Sequence, residues 1–215
     1  MRWRYATFRW HPGRGAERPA CFSGLAAAHR RAVRRAEEGD LPASGAVSLE
    51  RVGADAALLL SNLLEFYMHD LSEIFPAKLG PEGRFGYEKL SLYWSDPEAR
   101  RAFLIKCGGS VAGFALATRG SPATTDPTDL DVAEFFVLRS YRRLGVGRQA
   151  AIALWDGLPG NWVVRVSEAN RAGVPFWGEV VRAYAGGSCA VSTRPGSPHG
   201  WRVFTFVSPA KESCG

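Results

Sequence analysis

The chain has 215 residues, 46% hydrophobic and 22% charged, enough to bury a sizeable core and too apolar for global disorder. No run of about 18 apolar residues is present, so a transmembrane helix is not expected. The net charge of +6 is uneven: residues 1–46 hold nine Arg against four Asp/Glu, and beyond them 18 basic and 17 acidic residues nearly cancel, which argues against a nucleic-acid partner.

The count of 23 Arg against 4 Lys fits a GC-rich coding genome and a bacterial source. Cys21, Cys107, Cys189 and Cys214 form no C-x-x-C pair, so neither a metal site nor a disulfide framework is expected. The basic N-terminus lacks a continuous apolar stretch after its arginines, so export is not expected and a cytoplasmic location is.

Residues 1–46 mix Arg, Gly, Pro and Ala without a sustained period and read as a mostly irregular extension. A compact domain is expected over 47–208, followed by a short tail over 209–215. Val47–Val52 alternates as a strand does, and Gly53 and Asp55 then mark a helix start. Leu60, Leu63, Leu64 and Tyr67 fall at i, i+3, i+4 and i+7, the apolar stripe of a helix. A polar and aromatic loop region follows from Met68 to about Glu98. Ala102–Cys107 and Ser110–Ala117, joined by Gly108-Gly109, read as a hairpin because that dipeptide accepts positive φ.

Asp131–Leu138 is the next predicted strand. It runs into Arg142-Arg143-Leu144-Gly145-Val146-Gly147, a glycine-rich turn opening a helix whose stripe is Val146, Ala150, Ala153 and Leu154. Trp162–Val166 is a short strand, parallel to the one before the turn and reached by a right-handed crossover. Asn170 precedes a helix with Pro175 in its first turn and Val174, Trp177, Val180, Val181 and Tyr184 on its apolar face. Cys189–Thr193 and Trp201–Val207 close the domain as a hairpin. The order is that of an α/β or α+β sandwich on a mixed sheet.

The strand–turn–helix at 131–154 carries the chemistry. Backbone N–H groups of the turn and the helix N-terminus converge on one point, which suits a pyrophosphate. A Rossmann site fits worse, because the third glycine is missing and no acidic residue ends a following strand at the right distance. A Walker A loop is excluded by the absence of a Gly-Lys-Ser/Thr ending.

From Glu134 to Tyr184 the chain resembles the GCN5-related N-acetyltransferase (GNAT) superfamily. The residues that carry the likeness are Glu134-Phe-Phe-Val-Leu138, Tyr141-Arg-Arg-Leu-Gly-Val-Gly147 and Asn170-Arg-Ala-Gly-Val-Pro-Phe-Trp177. The element order over 47–207 follows the same fold, and Phe66–Glu73 adds a likeness to uncharacterised bacterial members. The resemblance implies a mixed, mostly antiparallel sheet with helices on both faces. It also implies a splayed parallel strand pair that holds acetyl-CoA as co-substrate. The acetyl group then passes by direct attack on the thioester to a primary amine of a small molecule or peptide. Backbone groups of Phe136, Val137 and Leu138 are implied to hold the pantetheine arm. Amides from Arg143 through Leu144, Gly145, Val146 and Gly147 to Arg148 are implied to hold the pyrophosphate, with Arg142, Arg143 and Arg148 adding charge and Asn170 bonding the cofactor arm.

An alkylammonium must lose a proton before it attacks, and Glu134 is the candidate base. It stands in an otherwise apolar strand and is expected to share a face with Val132, Phe136 and Leu138, where burial raises a carboxyl pKa. The resemblance places a backbone N–H near Val137 against the oxyanion, and a Tyr as general acid where this chain has Trp177. That leaves the acid unassigned, since Tyr184 lies two turns further on. Tyr67, His69, Asp70, Tyr93 and Trp94 are candidates for the acceptor pocket, an acidic and aromatic lining that favours a cationic amine. Each also reads as a cap or a core aromatic. A catalytically weak acyl-CoA-binding regulator is the alternative favoured by Trp177. No metal and no membrane partner are expected, and a homodimer is left open.

Overall fold

The computed structural model describes residues 45–210. The extension expected over 1–46 and the tail over 209–215 therefore lie outside the described residues, apart from two residues of each.

Among the described residues seven strands form one sheet: β1 (Val47–Val52), β2 (Arg100–Cys107), β3 (Ser110–Arg119), β4 (Leu130–Val137), β5 (Gly160–Ser167), β6 (Ala190–Arg194) and β7 (Trp201–Ser208). Their order is β1-β2-β3-β4-β5-β7-β6, and every pair is antiparallel except β4–β5. The helices are α1 (Ala57–Leu71), α2 (Leu92–Ser95), α3 (Val146–Gly157) and α4 (Gly173–Ala185). The segment from Met68 to Glu98, expected as a loop, carries the end of α1, a 3-10 turn over Glu88–Ser91, and α2.

The sheet is covered on both faces. Leu60, Leu63 and Leu64 of α1 pack with Leu104, Phe114, Leu116 and Phe136 on one face. On the other, Leu154 and Trp155 of α3 and Trp177, Val180 and Val181 of α4 pack with Ala115, Val132, Val164 and Phe204. Burying a side chain of this size stabilises by about 1.5–3 kcal/mol, so these two layers hold the sheet at a fixed depth between the helices.

Two irregularities in β4 open and orient the middle of the sheet. Its partners on β3 shift between Leu116 and Ala117, so that Leu116 faces Glu134 and Ala117 faces Val132, leaving Ala133 as an extra residue. Such a bulge flips the alternation of side chains beyond it. Glu134 accordingly does not share a face with Val132, as strict alternation predicts. Val132 packs against α3 and α4, whereas Glu134 reaches the α1 side with Phe136 and Leu138. The second irregularity is that β4 and β5 pair only through Leu130–Trp162, Asp131–Val163 and Val132–Val164. Past the bulge the two strands part.

Candidate active site

The parting of β4 from β5 opens a wedge with backbone on both walls. The N–H of Leu138 is donated to the carbonyl of Ala112 at 2.8 Å, which turns Leu138 toward β3. By strand alternation Phe136 turns the same way, in line with the carbonyl of Phe136 lying where a Cβ on Gly113 would stand, 2.0 Å away. Phe135 and Val137 therefore present their amides and carbonyls to the wedge. Of the three residues expected to offer backbone groups there, Val137 is the one that faces it.

The chain leaves β4 through a 3-10 turn over Arg139–Tyr141 and enters α3 by way of two left-handed residues. These are Arg143 (φ 66°) and Gly145 (φ 79°), the latter the N-cap of α3. No side chain caps this helix and no acidic residue stands in its first turn, so its leading N–H groups point outward without a local acceptor. Val146 is buried, anchoring the turn to the core, while Leu144, Arg143 and Arg148 are exposed. Gly147 lets α3 approach the wedge closely: a Cβ there would sit 3.2 Å from Phe176 and 3.6 Å from Val137.

Arg142 lies otherwise than a free phosphate ligand. Its Nε donates to the carbonyl of Val137 at 2.7 Å, its Nη2 to Oδ2 of Asp70 at 2.6 Å, and the guanidinium lies 5.5 Å from the centre of the Phe136 ring. Arg139 donates to the other oxygen of Asp70 at 2.5 Å. Asp70, near the end of α1, is thus a clasp between that helix and the glycine turn rather than a pocket wall. Partial burial pushes its carboxyl up, but Arg139 and Arg142 outweigh that and hold it below the ordinary range. His69 beside it is largely exposed.

Glu134 occupies the α1 side of β4 where the wedge begins. Tyr67 of α1 donates to its Oε2, and Tyr87 donates to its Oε1 at 2.9 Å. Tyr67 is seated edge-on against Phe114 and Phe136, with centroids 5.7 and 6.0 Å away. Burial pushes the Glu134 carboxyl up, and the two phenols, Arg165 and Lys89 draw it back without cancelling the rise. Burial and the neighbouring carboxylate also push Tyr67 and Tyr87 far up, so both stay protonated as donors. Tyr93, buried behind Tyr87, is pushed up to about 12 by the same two causes. Trp94 is half-buried beside it on α2.

Tyr87 is the functional candidate that sequence reasoning missed. It lies in an aperiodic stretch, and no spacing links it to Glu134, 47 residues away. Asn170 carries a local duty: its Oδ1 accepts the N–H of Gly173, the first residue of α4, at 2.7 Å. Trp177 is buried between Phe135, Phe176 and Trp155. Tyr184 donates to Asp156 at 2.8 Å and lies 2.8 Å from the hydroxyl of Ser208, on the α3–α4 face away from Glu134.

The model of the acetyltransferase (GNAT) family matches residues 61–179. The chain belongs to the GNAT acetyltransferase family. That match spans most of α1, the bulged β4, the glycine turn and the first half of α4. Solved GNAT structures share the fold at low identity. An acetyltransferase from Thermus thermophilus is 18% identical, covering 76% of this chain and 98% of its own, with a TM-score of 0.55. The PaiA N-acetyltransferase from Thermoplasma acidophilum, solved in complex with coenzyme A, is 11% identical over 75% of this chain and 99% of its own, with a TM-score of 0.51. A spermidine N-acetyltransferase chimera from Vibrio cholerae and hSSAT is 12% identical over 75% and 95%, with a TM-score of 0.51. A search of curated proteins finds no match. Among the described residues no helix is long and apolar enough to cross a membrane, and no cluster of His, Cys, Asp and Glu could hold a metal ion.

Proposed function

We propose that this GNAT protein transfers an acetyl group from acetyl-CoA to a primary amine, with Glu134 as the proton acceptor. The observation that carries the reading is the adjacency of three features: a wedge where β4 and β5 no longer pair, a helix N-terminus free of acidic residues, and a buried carboxylate beside the wedge. The wedge and the turn fit coenzyme A. Backbone groups of Phe135 and Val137 would hold its pantetheine arm, and the amides of residues 143–148, with Arg143 and Arg148 nearby, would hold its pyrophosphate. Bound acetyl-CoA supplies an activated thioester.

The chain's own residues do the rest. Glu134, whose carboxyl burial pushes above its ordinary value, takes the proton that an alkylammonium must lose before its nitrogen can attack. Tyr67 and Tyr87 fix both carboxylate oxygens, so that the base is oriented before the amine arrives. The N–H of Val137 faces the wedge, placed to stabilise negative charge on an acyl oxygen. Arg142 and Arg139 hold Asp70, which keeps the end of α1, and with it Tyr67, tied to the cofactor turn.

A second reading, an acyl-CoA-binding regulator with weak catalysis, rests on Trp177 in the place of the Tyr acid and on its burial among aromatic rings. Incubation with acetyl-CoA and a panel of primary amines, polyamines and peptide N-termini separates the two. Release of CoA thiol with an acetylated amine supports transfer. Tight CoA binding with no release from any amine favours the regulator, and no CoA binding removes both.

A further inference from the structure

We propose that the end of the sheet away from the glycine turn binds a small polyanion, a di- or triphosphate or a polycarboxylate. The register brings the start of β2, the end of β3 and the start of β4 to one end, with Arg100 opposite Thr118 and Arg119 opposite Leu130. The glycine turn follows the other end of β4. Two cavities open here. One, of about 310 Å³, is walled by Arg51, Tyr93, Trp94, Arg100 and Arg101. Its neighbour, of about 370 Å³, shares Arg101 and adds Arg119, Thr128 and Asn161. Neither lining contains an Asp or a Glu.

Charge accounting makes this more than a basic surface. Arg84, Arg165 and Arg202 are half-buried and each pairs with a carboxylate, at 3.2, 2.8 and 3.2 Å. Arg100 and Arg101 are half-buried as well, on opposite faces at the start of β2, and no carboxylate lies within ion-pair distance of either among the described residues. Arg100 lies over the Tyr93 ring, 5.8 Å from its centre, and Arg51 spends one nitrogen on the carbonyl of Pro97 at 3.1 Å. Partly desolvated guanidinium groups without a counter-charge are costly unless an anion completes them. Their planar donor forks match phosphate and carboxylate oxygens. Cavities of this size suit a small molecule, not a nucleic-acid strand or a folded partner. Tyr93 forms a wall of the first cavity and packs in the same cluster as Tyr87, the donor to Glu134, so the ligand sits within two side chains of Glu134.

Calorimetric titration of the full chain with pyrophosphate, tripolyphosphate and citrate tests this site separately from the cofactor turn. With the glycine turn first saturated by CoA, one-site binding of at least one of them is expected, weakened at least tenfold by Arg101→Gln and unchanged by Arg148→Gln. The probe that binds tells phosphate from carboxylate as the head group. Arg51→Gln, an exposed substitution, is expected to weaken the same probe and covers the case in which Arg101→Gln impairs folding. Absence of binding by all three probes overturns the proposal. So does binding that Arg148→Gln abolishes while Arg101→Gln and Arg51→Gln leave it intact.

Discussion

The phenol of Tyr87 donates to Oε1 of Glu134 at 2.9 Å, so a residue from an irregular connection completes the setting of a carboxylate in the middle of the sheet. Tyr67, from α1, holds the other oxygen. The base is thus shared by two segments that pack on the same face, and its acidity depends on both.

Tyr87→Phe removes one donor to the ionised form of Glu134. A hydrogen bond to a charged group contributes about 1.5–3 kcal/mol, and one pH unit corresponds to about 1.36 kcal/mol. The acid limb of kcat/KM should therefore move up by about one to two pH units, with activity largely recovered at high pH. A limb that stays in place removes Tyr87 from the setting of the base.

Arg143 is the only non-glycine residue with positive φ among the described residues, at 66°. That backbone state costs a side chain on the order of 1 kcal/mol, whereas glycine adopts it freely. Arg143→Gly should raise the melting temperature by a few degrees. Weaker CoA binding in the same variant would report the loss of its charge near the turn.

At Gly113 the space is already taken, because a Cβ would stand 2.0 Å from the carbonyl oxygen of Phe136, a backbone atom that cannot swing aside. Gly113→Ala should destabilise the domain by about 3 kcal/mol or more, the upper range for overpacking. Chemical denaturation would show this as a lowered midpoint.

Asp70 has a folded-state pKa held below its ordinary 3.8, so its ion pairs stabilise the protein above that value and are lost as the pH falls through the depressed one. Asp70→Asn should lower the melting temperature at pH 7. The deficit should narrow as the pH drops below 3.8 and shrink in high salt, because Arg139 is largely exposed.

Much of this architecture can be read from local patterns. The i, i+3, i+4 stripe of α1, the Gly108-Gly109 hairpin and the strand–turn–helix at 130–157 each follow from a period and a turn chemistry within a few residues of one another. Glu134 stands out because a carboxylate interrupts an apolar strand. What stays hidden depends on distance along the chain. The bulge at Ala133 has no glycine to mark it, yet it decides which face Glu134 reaches. The pairing of Asp70 with Arg139 and Arg142 joins positions about seventy residues apart, so the aspartate reads as a pocket residue and the arginine as a phosphate ligand until the fold brings them together. Tyr87 lies in a segment with no period at all.

The account centres on Glu134 as the group that frees the amine. The most direct test compares wild type with Glu134→Gln for CoA affinity and for the rate of CoA release with a working amine, from pH 6 to about pH 10, where an alkylamine frees itself. The prediction is unchanged CoA affinity, a rate about a hundredfold or more lower near pH 7, and a deficit that closes toward high pH. An equal rate at every pH, or a deficit that does not change with pH, would contradict it.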